Sequence, residues 1–496
     1  MTVVETTSGP IEGRDKEGTL LFAGVPYAAP PVGELRFRAA QPPTPWREVR
    51  AAKRFGAAAP QIPAGGLTSS AAVRWDEDCL TLNITTPALD DARRPVLFWI
   101  HGGAYRTGQG AIPWYNGARF ARNGDIVVVS INYRLGALGF TDLSGFGAGF
   151  ETSGVNGLLD QIVALEWVRD NIARFGGDPA KVCIAGESAG GFAVSTLLAS
   201  PRAKNLFRAA IPQSGAASQT LPKAAGELCA EKLMAALGAR DTDALMKADV
   251  QSILEATDRV IAEIGDGPRL IDAFGVPVSA FYPVRGNAVV PGDPLEALRA
   301  GAGRDIPLLT GTNRDETTLW GYGEVTGERL KRVAEGYGAG KTLATYQRTR
   351  PGGSPEDLMI ALTTDQLFRI PAIRMLEARI EADTKSAAEQ PSRNWMYLFS
   401  WASRAFEGRL GATHALEIPF VFDNLDRAGV DVFIGPGEKP QKVADAMHRA
   451  WTGFIRDLDP GWARYDTTNR ITMCFDDTST PIADPDGEER QAWEGI

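Results

Sequence analysis

Apolar residues in this chain gather into short continuous runs. Val96-Leu97-Phe98-Trp99-Ile100, Ile126-Val127-Val128-Val129-Ser130-Ile131 and Val182-Cys183-Ile184-Ala185 are rich in β-branched residues, and each predicts a strand. Unbroken apolarity means that both faces of such a strand are covered, as in a parallel sheet. Between the second and third runs, Leu158, Leu159, Ile162, Leu165, Val168 and Ile172 recur at helical spacing, and Gly176-Gly177 followed by Asp178-Pro179 stops that helix. Strand, helix, strand predicts an α/β fold with a central, mostly parallel sheet flanked by helices.

Residues 1–90 have a different texture. Pro26, Pro30, Pro31, Pro42, Pro43 and Pro45 predict irregular structure draped over the scaffold. From about 220 to 380 the pattern is mostly helical, as in Leu228 to Leu237 and Ala361 to Ile380, which predicts insertions capping the sheet. No repeat or low-complexity linker divides the chain, so residues 1–496 are expected to form a single domain.

Composition narrows the function. With 44% hydrophobic and 23% charged residues, 496 residues can bury a large core. The net charge of -9, without a dense Lys/Arg block, argues against nucleic acid as a partner. No apolar run approaches the roughly 18 residues of a membrane span, and Met1 to Thr6 has neither a basic nor an apolar leader segment. A cytoplasmic location is therefore expected. Cys79, Cys183, Cys229 and Cys474 lack the spacing of a zinc site or redox pair, which fits a reducing compartment and no bound metal. Cys183, inside an apolar run, reads as an inert buried thiol.

Chemistry enters at Gly186-Glu187-Ser188-Ala189-Gly190, which follows a strand and precedes the apolar helical stretch Phe192 to Leu198. That context makes G-x-S-x-G a nucleophile elbow, the device of the α/β-hydrolase fold: a strained turn exposes the serine Oγ, and flanking glycines relieve the crowding. Ser188 is the candidate nucleophile, with Glu187 expected in the layer behind it. Of the three histidines, His101 opens His101-Gly102-Gly103-Ala104 after a strand, a loop whose small residues let backbone N–H groups approach a substrate oxygen. The oxyanion donors would be Gly102, Gly103 and Ala189. His448 lies on an amphipathic pattern and reads as a surface helical residue. His414, in a loop after the strand-like Trp395-Met396-Tyr397-Leu398-Phe399, is left as the base. Asp315 and Glu316 both stand just past the apolar run at Leu308, and the order serine, acid, histidine accommodates either.

Many ordered blocks carry a family resemblance. Phe22 to Tyr27, Glu77-Asp78-Cys79-Leu80, the His101-Gly102-Gly103 loop, Asn132-Tyr133-Arg134, Asn156 to Gln161, Phe175 to Pro179, Gly186 to Gly191 and Gln213-Ser214-Gly215 are similar to the type-B carboxylesterase/cholinesterase family, in particular its bacterial p-nitrobenzyl-esterase-like members. The resemblance implies an α/β-hydrolase fold and carboxylic-ester hydrolysis. It implies that Glu316 is the triad acid and Asp315 its neighbour, and that the Ser214 hydroxyl stands behind the triad; on its own residues, Ser214 is a turn serine. Where some members pair a cysteine with the one matching Cys79, this chain has Ala57-Ala58-Ala59-Pro60-Gln61, so Cys79 is expected to be free. The stretch Ile62 to Arg74 lacks the Trp-Asn-Pro segment with which cholinesterases hold a quaternary ammonium, which points toward neutral esters. Thr317 and Arg285 stand where the family often has Gly and Asp.

The expected reaction is acyl transfer to Ser188 and hydrolysis by water on small to medium esters, with activated carbamates or aryl amides as alternatives. It calls for no cofactor. Tyr105, Trp114, Tyr115, Phe146, Leu319 and Trp320 are the candidate pocket residues. Catalytically silent binding members of the fold usually lack the nucleophile or base, and this chain has both. A small-molecule ester is the expected partner, and the chain a monomer or weak homodimer.

Overall fold

The computed structural model describes residues 2–62, 74–265, 279–386 and 389–496. The N-terminal ninety residues hold more strand than their prolines predict: β1 (Val3–Thr6), β2 (Gly9–Glu12), β3 (Arg14–Lys16), β4 (Thr19–Pro26), β5 (Arg50–Ala51) and β6 (Thr81–Thr86). The prolines do not prevent this, because Pro26 ends β4 and the others at 30–45 fall in the connection between β4 and β5. β1, β2 and β5 form a small separate sheet, while β3, β4 and β6 extend the main one.

The main sheet continues with β7 (Arg94–Ile100), β8 (Val127–Ile131), β9 (Gly177–Glu187), β10 (Ala209–Gln213), β11 (Leu308–Asn313), β12 (Asn394–Phe399), β13 (Ile471–Phe475) and β14 (Thr480–Ala483). Its eleven strands run in the order β14-β13-β12-β11-β10-β9-β7-β8-β6-β4-β3. Pairings from β8 across to β13 are parallel, and those toward either edge are antiparallel.

Unbroken apolar strands follow from coverage on both faces. Along β7, Val96, Phe98 and Ile100 enter one hydrophobic core, while Leu97 and Trp99 enter the other. The helices Asn156–Asn171 and Ala189–Ala199 pack into the first core; Gln441–Asp457 packs into the second. His448 on that last helix is buried, not at the surface: its Nδ1 bonds the Val421 carbonyl at 2.9 Å and its ring meets Phe120. An amphipathic pattern shows which stripe is apolar but not how far the packing reaches around it.

Leu228 to Leu237 falls inside the helix Lys223–Leu237. The pattern at Ala361 to Ile380 is split: helices Pro355–Thr364 and Ile370–Lys385 are joined by a π turn, Asp365–Arg369. All four cysteines are free and buried. Among the described residues no helix is long and apolar enough to cross a membrane. The stretch that lacks the cation-binding tryptophan lies, from 63 to 73, outside the described residues.

Candidate active site

The C-terminal ends of parallel strands converge here. Ser188 follows β9, Gly102 and Gly103 follow β7, Glu316 follows β11 and His414 lies beyond β12, as expected for a ligand site in an open α/β sheet. Ser188 has φ 56° and ψ -123°, a conformation that a β-carbon resists. It is held by its N–H on the Gln213 carbonyl at 3.0 Å and by the helix that starts at Ala189. Gly190 is required sterically, since a Cβ there would lie 2.1 Å from the Ile100 carbonyl oxygen.

Glu316 is fully buried and engaged at both oxygens: Oε2 lies 2.5 Å from His414 Nδ1, and Oε1 accepts the Asn313 N–H at 2.8 Å. The His414 N–H donates to the Glu316 carbonyl at 3.1 Å. Asp315 points elsewhere, accepting the Ala412 N–H at 2.9 Å, so its carboxylate closes the histidine loop. Geometry thus separates two acids that the sequence left side by side.

Between Ser188 and His414 no hydrogen bond is present among the described residues. His414 Nε2 stands 3.1 Å from Glu187 Oε1. Burial disfavours the His414 imidazolium, but the carboxyls of Glu187 and Glu316 outweigh it and raise its pKa. Burial raises that of Glu187.

The loop after β7 turns sharply. Gly103 has φ +111°, and a Cβ there would meet the Thr107 carbonyl at 2.2 Å. Among the described residues, the N–H groups of Gly102, Gly103 and Ala189 donate to no protein acceptor. His101 is buried and held neutral by that burial, its pKa lowered to about 4, with Nδ1 on the Gly102 carbonyl at 2.8 Å and its ring stacked on Tyr133. It supports the loop.

Ser214 is buried and its hydroxyl has no partner among the described residues. Trp320 is brought onto His414, ring centroids 5.4 Å apart, and is half exposed; Leu319 precedes it in the same turn. Tyr115 is buried against Trp99 and Phe422. Tyr105 and Trp114 are core residues, packed on Phe140 and Phe433, and Phe146 lies exposed in a separate turn.

The sequence reading missed several neighbours. Phe368 lies 5.0 Å from the His414 ring and 6.1 Å from Phe192 on the helix that follows Ser188. Glu417 is fully buried, accepting from Gln213 Nε2 at 3.0 Å and Asn313 Nδ2 at 2.7 Å, and burial pushes its pKa up to about 7. Its signal was visible as a lone charge inside Leu416-Glu417-Ile418-Pro419-Phe420. Thr317, the departure after Glu316, bonds Thr363 at 2.7 Å and ties this turn to the helix Pro355–Thr364. Arg285 pairs at 2.6 Å with Asp293, which caps the helix Pro294–Arg299.

A mostly parallel sheet with these groups at its strand ends is the α/β-hydrolase fold. The chain belongs to the carboxylesterase family, whose model matches residues 1–473, and it is a carboxylic-ester hydrolase. It is 35% identical to the para-nitrobenzyl esterase of Bacillus subtilis, covering 99% of this chain and 98% of that one. A phenmedipham hydrolase of Pseudarthrobacter oxydans is 37% identical over 92% of this chain and 90% of its own. Among solved structures, a Geobacillus stearothermophilus carboxylesterase superposes with a TM-score of 0.85 at 35% identity, covering 100% of both chains.

Proposed function

We propose that Ser188, His414 and Glu316 form a catalytic triad that hydrolyses neutral small to medium carboxylic esters through an acyl-enzyme. The observation that carries the reading is the 2.5 Å contact from His414 Nδ1 to Glu316 Oε2, beside a serine on a strained elbow. With Nδ1–H donated to Glu316, Nε2 is the free base. It takes the Ser188 proton as Oγ attacks the ester carbonyl. The N–H groups of Gly102, Gly103 and Ala189 receive the oxyanion. Collapse returns the proton to the leaving alkoxide, and water, activated by the same nitrogen, releases the acid. Glu187 stands beside that nitrogen, at 3.1 Å, Ser214 supports the groups from behind, and Trp320 and Leu319 line the way in.

Ser188→Ala should abolish both turnover of p-nitrophenyl acetate and covalent labelling by an organophosphate. Labelling that persists at another residue would sink the assignment.

A second reading, hydrolysis of activated carbamates or aryl amides, uses the same atoms, since the triad attacks any accessible carbonyl. The phenmedipham hydrolase among the relatives favours testing it. Rates on phenmedipham beside p-nitrophenyl esters of rising chain length decide which carbonyl class the site prefers.

A further inference from the structure

The turn that carries Phe368, the ring that meets His414, is hydrogen-bonded at its two ends to the C-terminal segment. It is the π turn Asp365–Arg369. Such turns have poor intrinsic geometry and persist where their surroundings over-determine them. Here the flanking residues form a buried ion pair, with Arg369 Nε and Nη2 at 2.6 and 2.7 Å from the two Asp365 oxygens. The Tyr346 hydroxyl donates to Asp365 and in turn accepts Trp493 Nε1–H at 2.8 Å. Arg369 Nη1 reaches the Pro485 carbonyl at 3.0 Å.

Two hydrogen-bonded routes therefore run from the C-terminal segment to either end of the turn that carries Phe368. Tyr346 and Trp493 are almost completely buried, so no solvent stands ready to replace a lost partner. The segment is itself fixed: Arg374 Nη2 donates to the Trp493 carbonyl at 2.8 Å, and Arg350 holds Glu489 through two bonds of 2.8 Å.

We propose that Trp493 is a positioning residue for Phe368: through Tyr346, Asp365 and Arg369 it fixes the aromatic wall beside His414 and so limits the size of ester the site accepts. This rests on Ser188 and His414 being the reacting groups. Removing the indole N–H frees the Tyr346 hydroxyl from its donor, loosens the grip on Asp365 and lets Phe368 leave its place. Long acyl chains then gain room, while acetyl esters, which do not need it, react as before.

The test uses Trp493→Phe, which keeps a buried ring and removes only the donor, beside Tyr346→Phe, which cuts the same route at its middle. Both should raise the ratio of kcat/KM for p-nitrophenyl octanoate over acetate by about tenfold, with the change in KM for the octanoate. Ser188 labelling by a small organophosphate should proceed at the unmodified rate. Phe368→Leu should give the same shift, and combining it with Trp493→Phe should add nothing further. An unchanged ratio in both variants, with or without a lower Tm, overturns the proposal, as does full additivity with Phe368→Leu. Failure of the unmodified enzyme to label at Ser188 would strike the triad assignment instead, and the ratio would still decide the role of Trp493.

Discussion

Around His414 lie Glu316, Glu187 and Glu417, more buried carboxyl groups than one imidazolium can balance. Glu417 is satisfied by two amide donors and Glu316 by a backbone N–H, whereas Glu187 Oε1 accepts no hydrogen bond among the described residues. The Glu187 and Glu316 carboxyls beside His414 together hold the imidazolium more strongly than water does. The base must be neutral to act, so kcat/KM should rise with pH through an ionisation above the ordinary histidine value. By linkage, the stability that this protonated histidine contributes is present in acid and is lost as pH climbs past its raised folded value. Glu316→Gln should move the activity limb toward lower pH and lower kcat by about 10³–10⁴, read from a pH profile on p-nitrophenyl acetate. A limb that stays in place would show that Glu316 does not face the base.

At the scale of elements, the site is a set of turns forced by close backbone approach. The Ser188 elbow fits because Gly190 lets the helix start against β7, and the loop after β7 folds because Gly103 lets it touch Thr107. Gly103→Ala combines a strained φ with a 2.2 Å clash on a carbonyl, so the loop must shift and its N–H groups lose their aim. A fall in kcat of about 10²–10³ is expected, as for loss of one oxyanion donor, with the protein still folded by circular dichroism. These turns were legible in the sequence because glycines at fixed spacing admit few alternatives. The π turn and the buried face of the helix at Gln441–Asp457 were not, because each depends on what packs against it.

Over the whole molecule the net charge of -9 disfavours anionic substrates. An ester carrying a carboxylate should show a lower kcat/KM that rises with ionic strength, whereas p-nitrophenyl acetate should be insensitive to salt. Equal salt responses would remove charge from the account of specificity. The β-branched runs determined the fold class by themselves, and the glycine-flanked serine and the late histidine singled out Ser188 and His414 as candidates, because strand burial and a strained elbow impose local rules on residue type. Residue spacing left Glu316 and Asp315 open and the family resemblance pointed to Glu316; only the tertiary structure showed that its carboxyl lies against the imidazole, that Tyr105 and Trp114 are core and that Phe368 meets the His414 ring. Those choices depend on contacts between residues far apart in the chain, such as the 98 positions that separate His414 from Glu316, and no local pattern records them.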